Sequence, residues 1–280
     1  MSGAGTVRDA LGAATDALEA AGVETPRLDA ELLLAEATGR GRASVAADPA
    51  AEIAPAAARR FGEMVRRRTR REPVAYILGR KGFRGLELEV DGRALIPRPE
   101  TELLVEIALE LRPRRALDVG TGSGAVALAV ADELPDCEVT ATDTSGPALT
   151  LAERNAALLG AGRRVRLEPG TVPEDGAFDL VLANLPYVRD DEWDALAPEI
   201  NRYEPREALV AGADGVEAIA SVTPAATAAL APSGSLALEV GAGQAGTVAE
   251  MMLDLRFGQV EARSDLAGIP RVVLGRMAPA

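Results

Sequence analysis

Residues 115–143, RALDVGTGSGAVALAVADELPDCEVTATD, decide the fold of this chain. Ala116-Leu117-Asp118-Val119 reads as a short buried strand, and the run Gly120-Thr121-Gly122-Ser123-Gly124 follows it directly. Ala125 to Leu134 has helical composition, Glu138 to Thr142 is a second strand, and Asp143 closes it. Strand, glycine turn, helix and strand in that order make a parallel βαβ unit. Glycines at the turn let the backbone bend tightly and approach a ligand with no Cβ in the way.

The alternation continues outward. Helix Thr101–Leu111 precedes the first strand, and helix Ala148–Leu159, strand Val165–Leu167 and strand Phe178–Ala183 follow the second. Helix Gly215–Leu230, strand Ser235–Val240, a helix near Gln244–Leu255 and closing strands at 259–264 and 271–274 finish the chain. Apolar strands buried on both faces and separated by helices predict a parallel sheet in a doubly wound α/β domain over residues 98–280. Residues 73–97 are glycine-rich, with Leu86, Leu88 and Val90 alternating with Glu87 and Glu89, and read as a hairpin or linker. Residues 1–72 read as a small helical domain. Thr6–Ala21 stops at Gly22; Thr25-Pro26 caps and opens Arg27–Thr38, which stops at Gly39. Leu28, Leu32, Leu33 and Ala35 or Glu36 are expected on one buried face. A third helix, Pro55–Arg71, carries Arg59, Arg60, Arg66, Arg67, Arg68, Arg70 and Arg71, either a solvated face or a docking surface.

Composition prunes the chemistry. Among 280 residues there is no histidine, which excludes Ser-His-Asp and Cys-His triads and histidine metal sites. The single cysteine, Cys137, excludes disulfide frameworks and cysteine zinc sites and reads as a small core residue. No metal site is expected, so catalysis falls to carboxylates, amides, hydroxyls, arginines or a bound cofactor. No apolar run reaches the roughly 18 residues needed to span a bilayer. Met1–Ala10 carries Arg8 and Asp9 without an apolar core, so a cytoplasmic protein with no membrane association is expected. Residues 1–90 hold 14 basic and 13 acidic side chains, whereas 91–280 hold 16 and 30. So acidic a body repels phosphate backbones, making nucleic acid an unexpected direct substrate, and attracts a basic protein partner.

Three motifs carry chemistry. Asp143 ends its strand about 20 residues beyond the glycine loop, where a carboxylate can accept hydrogen bonds from both ribose hydroxyls of a nucleoside cofactor. The spacing is G-x-G-x-G, not G-x-G-x-x-G, with no pyrophosphate-type helix entrance. An adenosyl sulfonium, which has a ribose and no phosphate, fits better than a dinucleotide. Asn184-Leu185-Pro186-Tyr187 ends the strand FDLVLA. It is either a strand-ending turn or a site whose amide and carbonyl oxygens accept both hydrogens of a flat NH2 group, with Tyr187 stacking on the plane. Ile96-Pro97-Arg98-Pro99-Glu100-Thr101-Glu102 is either helix capping or a rigid wall of the site.

Together RPETE, DVGTGSG, Asp143 and Asn-x-Pro-Tyr resemble the HemK-like glutamine-N5 methyltransferases of peptide chain release factors. PRLDAELLLA, REPVAYILG, YEPREALVAGADG and DLAGIPRVVLGR extend the resemblance over nearly the whole chain. It implies a class I methyltransferase-like fold with a seven-stranded sheet and a helical N-terminal domain that helps recognise the release factor. It also implies S-adenosylmethionine as cofactor, with Gly120, Thr121, Gly122, Ser123 and Gly124 near the methionine part and Asp143 at the ribose. Asn184, Leu185, Pro186 and Tyr187, walled by Arg98 and Glu100, would hold the glutamine of a Gly-Gly-Gln motif; Asn184, Pro186 and Tyr187 would be catalytic, with Asn184 also near the cofactor. Two departures stand out. Leu185 replaces the usual proline, as in rRNA adenine dimethyltransferases, and the loop Glu168–Val172 lacks an acid often found there, leaving Thr171 or Val172 to line the adenine. Other acceptors (a ribosomal-protein glutamine, an adenine amino group) and a non-catalytic binder of a translation factor are the alternatives.

Overall fold

A computed structural model describes residues 5–278. Residues 1–4 and 279–280, which enter the reading of Met1–Ala10 and the two domain spans, lie outside the described residues. The chain divides into two compact units: one runs to Gly79 and adds Ala197–Tyr203, and the other holds Arg80–Leu196 and the stretch from Glu204 onward. The division falls inside the segment 73–97. Its first residues form a short helix of the first unit, and its hairpin belongs to the second.

The first unit contains α1 (Val7–Ala20), α2 (Pro26–Thr38), α3 (Arg42–Ala47), α4 (Pro55–Thr69) and α5 (Val74–Leu78), with α9 (Pro198–Tyr203) supplied from much later in the chain. Thr6 caps α1 through a reciprocal bond with Asp9, and Val7, Leu11, Ala14 and Leu18 form its buried stripe. The buried stripe of α2 differs from the expected one: Asp29, Ala30, Leu33, Leu34 and Ala37 face inward, and Leu28 is 39% exposed. A buried ion pair sets this rotation. Arg68 Nε donates to Asp29 Oδ2 at 2.7 Å, which turns the 29/33/37 row towards α4 and Leu28 outward. Thr25 is not a side-chain cap; its hydroxyl donates to Asp29 Oδ1 at 2.9 Å.

The arginine-rich end of α4 is divided: Arg59, Arg60, Arg66 and Arg70 are exposed, whereas Arg68 is buried and Arg71 half-buried. Arg68 also reaches Glu199 on α9 at 2.7 Å, Arg71 grips Glu199 with two bonds of 2.7 and 2.6 Å, and Tyr203 donates to Arg70 O at 2.9 Å. Arg60 pairs with Glu36 and Arg67 with Glu72. The Arg68 and Arg71 cations pin a distant segment into the unit's own wall.

The second unit opens with the antiparallel hairpin β1 (Arg80–Phe83) and β2 (Leu86–Glu89). Leu88 and Val90 are buried, as their alternation predicts. Then come α6 (Glu102–Leu111), β3 (Arg115–Val119), α7 (Ala125–Glu133), β4 (Glu138–Asp143), α8 (Gly146–Leu158), β5 (Val165–Pro169) and β6 (Phe178–Ala183). A two-stranded ribbon, β7 (Val188–Arg189) and β8 (Val210–Gly212), precedes α10 (Glu217–Ala228), β9 (Leu230–Glu239), α11 (Ala245–Asp254), β10 (Phe257–Ser264) and β11 (Pro270–Met277).

The seven-stranded sheet has the order β10-β11-β9-β6-β3-β4-β5. Its alternating residues feed two cores. Leu180 and Leu182 meet α6 and α7 on one face; Leu117, Val119, Val181 and Ala183 meet α10 and α11 on the other. Cys137 is buried in the first of these cores. One expectation needs correction: the sheet is not parallel throughout, because β11 runs antiparallel to both β9 and β10. A short turn joins β10 to β11, and without a helical crossover consecutive paired strands must reverse. The chain builds β3, β4 and β5 in one direction and then returns to place β6 on the other side of β3. That reversal opens a crevice at the carboxyl ends of β3 and β6, where Gly120 and Asn184 stand.

Candidate active site

The crevice encloses about 310 Å³. Its first half is the glycine loop. Gly120 N and Thr121 N both donate to Thr142 O at 2.9 Å, which ties the loop to the end of β4. Gly120, Gly122 and Gly124 take φ of 74, 57 and 85°, a region that favours glycine. Gly120 and Gly122 line the crevice. Gly124 does not; a Cβ there would lie 2.9 Å from Leu128 Cδ1 and 3.3 Å from Ala152, so this glycine lets α7 and α8 pack. Asp143 Oδ2 accepts from Gly122 N at 2.9 Å and Oδ1 from Ser145 N at 2.8 Å, leaving lone pairs on both oxygens.

Asp118, not singled out in the sequence, anchors the loop from below. Its Oδ2 accepts from Thr121 Oγ1 at 2.6 Å and from Ala127 N at 3.1 Å, and burial pushes its pKa up to about 6. Asn155 on α8 binds the hairpin and the loop together: Oδ1 accepts from Glu89 N at 2.7 Å, and Nδ2 donates to Glu89 O and Ser123 O at 3.0 and 2.9 Å.

The second half is the turn after β6. Asn184, Leu185 and Pro186 line the crevice. Asn184 Nδ2 donates to Thr101 Oγ1 at 3.0 Å, so the amide oxygen Oδ1 remains available as an acceptor. Leu185 is 7% exposed and fills the space over Gly120, where a Cβ would meet Leu185 Cδ2 at 3.2 Å. Tyr187 is not among the residues lining the crevice. Its backbone N and that of Val188 donate to Leu209 O at 3.1 and 2.8 Å, and its carbonyl accepts from Gln244 Nε2 at 2.9 Å. Burial raises its phenol pKa to about 12, with the Glu239 carboxyl adding to the shift.

Arg98 lines the crevice and Glu100 does not. Residues 99–101 form a 3-10 turn before α6, and Arg98 is held by Glu204, which also accepts from Ile96 N at 3.0 Å. Thr171 lines the crevice; Val172 packs instead against the core under α10. The other crevice arginine, Arg93, is gripped by Asp91 at 2.7 Å. Both crevice guanidiniums are thus committed to carboxylates, which suits a nucleoside ligand without phosphates. Glycine approach, a strand-end carboxylate and committed cations fit S-adenosylmethionine.

Sequence reasoning misses Asn155, Glu239 and Gln244, and it holds Asp118 and Glu204 only within the motifs DVGTGSG and YEPREALVAGADG, without a role of their own. Asp118 and Glu239 carry a usable signal, an acid inside an otherwise apolar strand, which must find a partner or shift its pKa.

Comparison with known proteins supplies the family. The PrmC N-terminal domain pattern matches residues 9–79, and a methyltransferase domain pattern matches 116–203. The release factor glutamine methyltransferase of Geobacter sulfurreducens is 40% identical over 277 residues, covering 97% of each chain. The Deinococcus radiodurans protein of the same name is 40% identical over 97% of this chain and 99% of its own; that of Moorella thermoacetica is 43% identical over 88% and 89%. The chain belongs to the release factor glutamine methyltransferase family. It is therefore an enzyme of methyl transfer. A methyltransferase structure from Pyrococcus furiosus, 21% identical, superposes with a TM-score of 0.53 over 70% of this chain and 91% of its own, a likeness of fold. Among the described residues no helix is long and apolar enough to cross a membrane.

Proposed function

We propose that the chain methylates the side-chain amide nitrogen of the glutamine in the Gly-Gly-Gln motif of peptide chain release factors, in the cytoplasm where translation ends. The observation that carries this reading is the Asn184 amide, fixed on the crevice wall through Thr101 with its oxygen left to accept. S-adenosylmethionine would supply a methyl group on a sulfonium and leave as a neutral thioether; the methylated nitrogen, cationic and strongly acidic, then loses one N–H proton to water, so no strong base is required.

Gly120, Thr121, Gly122 and Ser123 give the cofactor's methionine part a close backbone approach, and Asp143 accepts from the ribose hydroxyls. Thr171, not Val172, borders the adenine side, and Gly124 contributes by packing helices. On the acceptor side Asn184 Oδ1 and the turn's carbonyls accept the two hydrogens of the glutamine NH2. Accepting both draws the nitrogen lone pair out of conjugation and stabilises the positive charge that grows on nitrogen. Leu185 and Pro186 shape the wall, and Arg98, held by Glu204, keeps the proline-flanked segment in place. Tyr187 and Glu100 act from behind the wall. Holding the amide at about 3–3.5 Å from the electrophile supplies several kcal/mol through orientation alone.

The test is incubation with radiolabelled S-adenosylmethionine and a release factor whose Gly-Gly-Gln glutamine is intact or changed to alanine. Label on the intact factor alone is expected. Label on both, or on neither while the cofactor binds, would overturn the assignment.

A further inference from the structure

Three connections meet on one amide beyond the carboxyl ends of β6 and β9. Gln244 is the N-cap residue of α11, but its side chain makes no capping bond to that helix. Its Oε1 accepts from Gly241 N at 2.8 Å, and its Nε2 donates to Tyr187 O at 2.9 Å and to Gly215 O at 3.1 Å. One acceptor and two donors are what a carboxamide offers; a carboxylate or an ammonium would satisfy only part of the set. Both glycines are fitted to it. A Cβ on Gly215 would lie 2.8 Å from Gln244 Nε2 and from Tyr187 O, and one on Gly241 would lie 2.9 Å from Gln244 Oε1 and 3.2 Å from Tyr187 Cδ2. The loop that carries Gln244 is itself fixed, with Val240 N donating to Arg271 O at 2.8 Å and Gln244 N to Gly241 O at 3.1 Å.

The bond to Tyr187 completes a clamp on the acceptor turn. The peptide between Tyr187 and Val188 is trans, so its C=O and N–H point in opposite directions. Gln244 holds the C=O, and Leu209 O accepts the N–H at 2.8 Å. Leu209 O also accepts from Tyr187 N at 3.1 Å, which fixes the preceding peptide plane. Pro186, with its φ locked by the ring, passes that orientation back to Leu185. We infer that Gln244 is a positioning residue for methyl transfer: its amide clamps the peptide after Tyr187 and thereby sets the direction in which the Leu185 and Pro186 carbonyls meet the acceptor NH2 beside Asn184 Oδ1. This rests on the acceptor role of the turn proposed above. Without the clamp the peptide can rotate about the Tyr187 backbone and carry the carbonyls off their aim, and a misplacement of about 1 Å costs on the order of 100-fold in rate.

The experiment measures kcat, the KM for the release factor and calorimetric S-adenosylmethionine affinity in the wild type, Gln244→Met, Gln244→Glu, Asn184→Ala and Asp143→Asn. It adds the two double variants that join Gln244→Met to Asn184→Ala and to Asp143→Asn. Gln244→Met keeps the length of the side chain and loses all three bonds. Gln244→Glu keeps an acceptor for Gly241 N and sets a carboxylate oxygen against two carbonyls. Both should lower kcat about tenfold, with cofactor affinity and release-factor KM within about twofold of wild type. Because it acts through the acceptor turn, Gln244→Met should cost much less in the Asn184→Ala background and its full factor in the Asp143→Asn background. Thermal unfolding reads any loss of stability separately. An unimpaired kcat in both Gln244 variants, whatever their stability, would make the amide a structural peg and overturn the inference. Equal factors in the two backgrounds, or a loss confined to cofactor affinity, would overturn it too. An unimpaired Asn184→Ala would instead overturn the reading beneath it.

Discussion

The two halves of the crevice are built differently. The glycine-loop half is local: Gly122 reaches Asp143, Thr121 reaches Asp118 and Ala127 reaches Asp118, all within one βαβ unit. The acceptor half is assembled from afar. Asn184 leans on Thr101, Ile96 and Arg98 lean on Glu204, and Tyr187 leans on Gln244, contacts spanning 83, 108, 106 and 57 positions. A nucleoside pocket needs only a turn and an acid, and one supersecondary unit supplies both. Orienting a weakly nucleophilic amide requires oxygens fixed from several sides, which only tertiary structure can provide.

If this division holds, the largest effect comes from the acceptor half. Asn184→Ala should lower kcat by about 100-fold, the scale of removing one oriented polar group from a site of developing charge, measured with saturating cofactor and release factor. Next is the brace behind Arg98. Glu204→Ala strands a guanidinium and the Ile96 N–H together and should cost about 3 kcal/mol in denaturant unfolding. Glu204→Gln, which keeps an acceptor for Ile96 N, should cost clearly less.

The local half should respond mainly through binding. Asp143→Asn keeps the side-chain shape and one oxygen but loses charge-assisted acceptance, so cofactor affinity should weaken about tenfold. The smallest expected effect on turnover is in Asp118→Asn, whose readout is stability. Burial raises the Asp118 pKa from 3.8 to about 6, so the native state holds its proton more tightly than the unfolded chain, and stability falls as pH rises between those values. The asparagine variant escapes that loss. Its advantage over wild type should grow across this window and plateau above it, as followed by thermal unfolding at several pH values.

The same division governs what could be read from residues alone. The strands and helices from Thr101 to Ala183 follow from apolar runs and glycine stops, and the sheet built on them has the expected seven strands. β7, β8, α3, α5 and α9 escaped, since each is too short to show a period. The reversal of β11 escaped because a short connector is what distinguishes a hairpin from a crossover, and both strands look alike in sequence. The rotation of α2 escaped because periodicity ranks leucine above aspartate for the interior, whereas Arg68 makes Asp29 an inside residue. The same holds in the crevice. Asp143 and the glycines are legible from spacing, but the motif that contains Glu204 does not announce its pairing with Arg98, and Glu239 is visible only as an odd acid in an apolar strand.

The most direct test sets Asn184→Ala beside Asp143→Asn and measures S-adenosylmethionine affinity and kcat for both. Separate roles for the two halves predict that Asn184→Ala binds the cofactor within twofold of wild type while turnover collapses. Asp143→Asn should bind about tenfold more weakly and recover most of its rate at saturating cofactor. Equal losses of affinity and turnover in both variants would contradict that division, because they would mean that the crevice works as one undivided site.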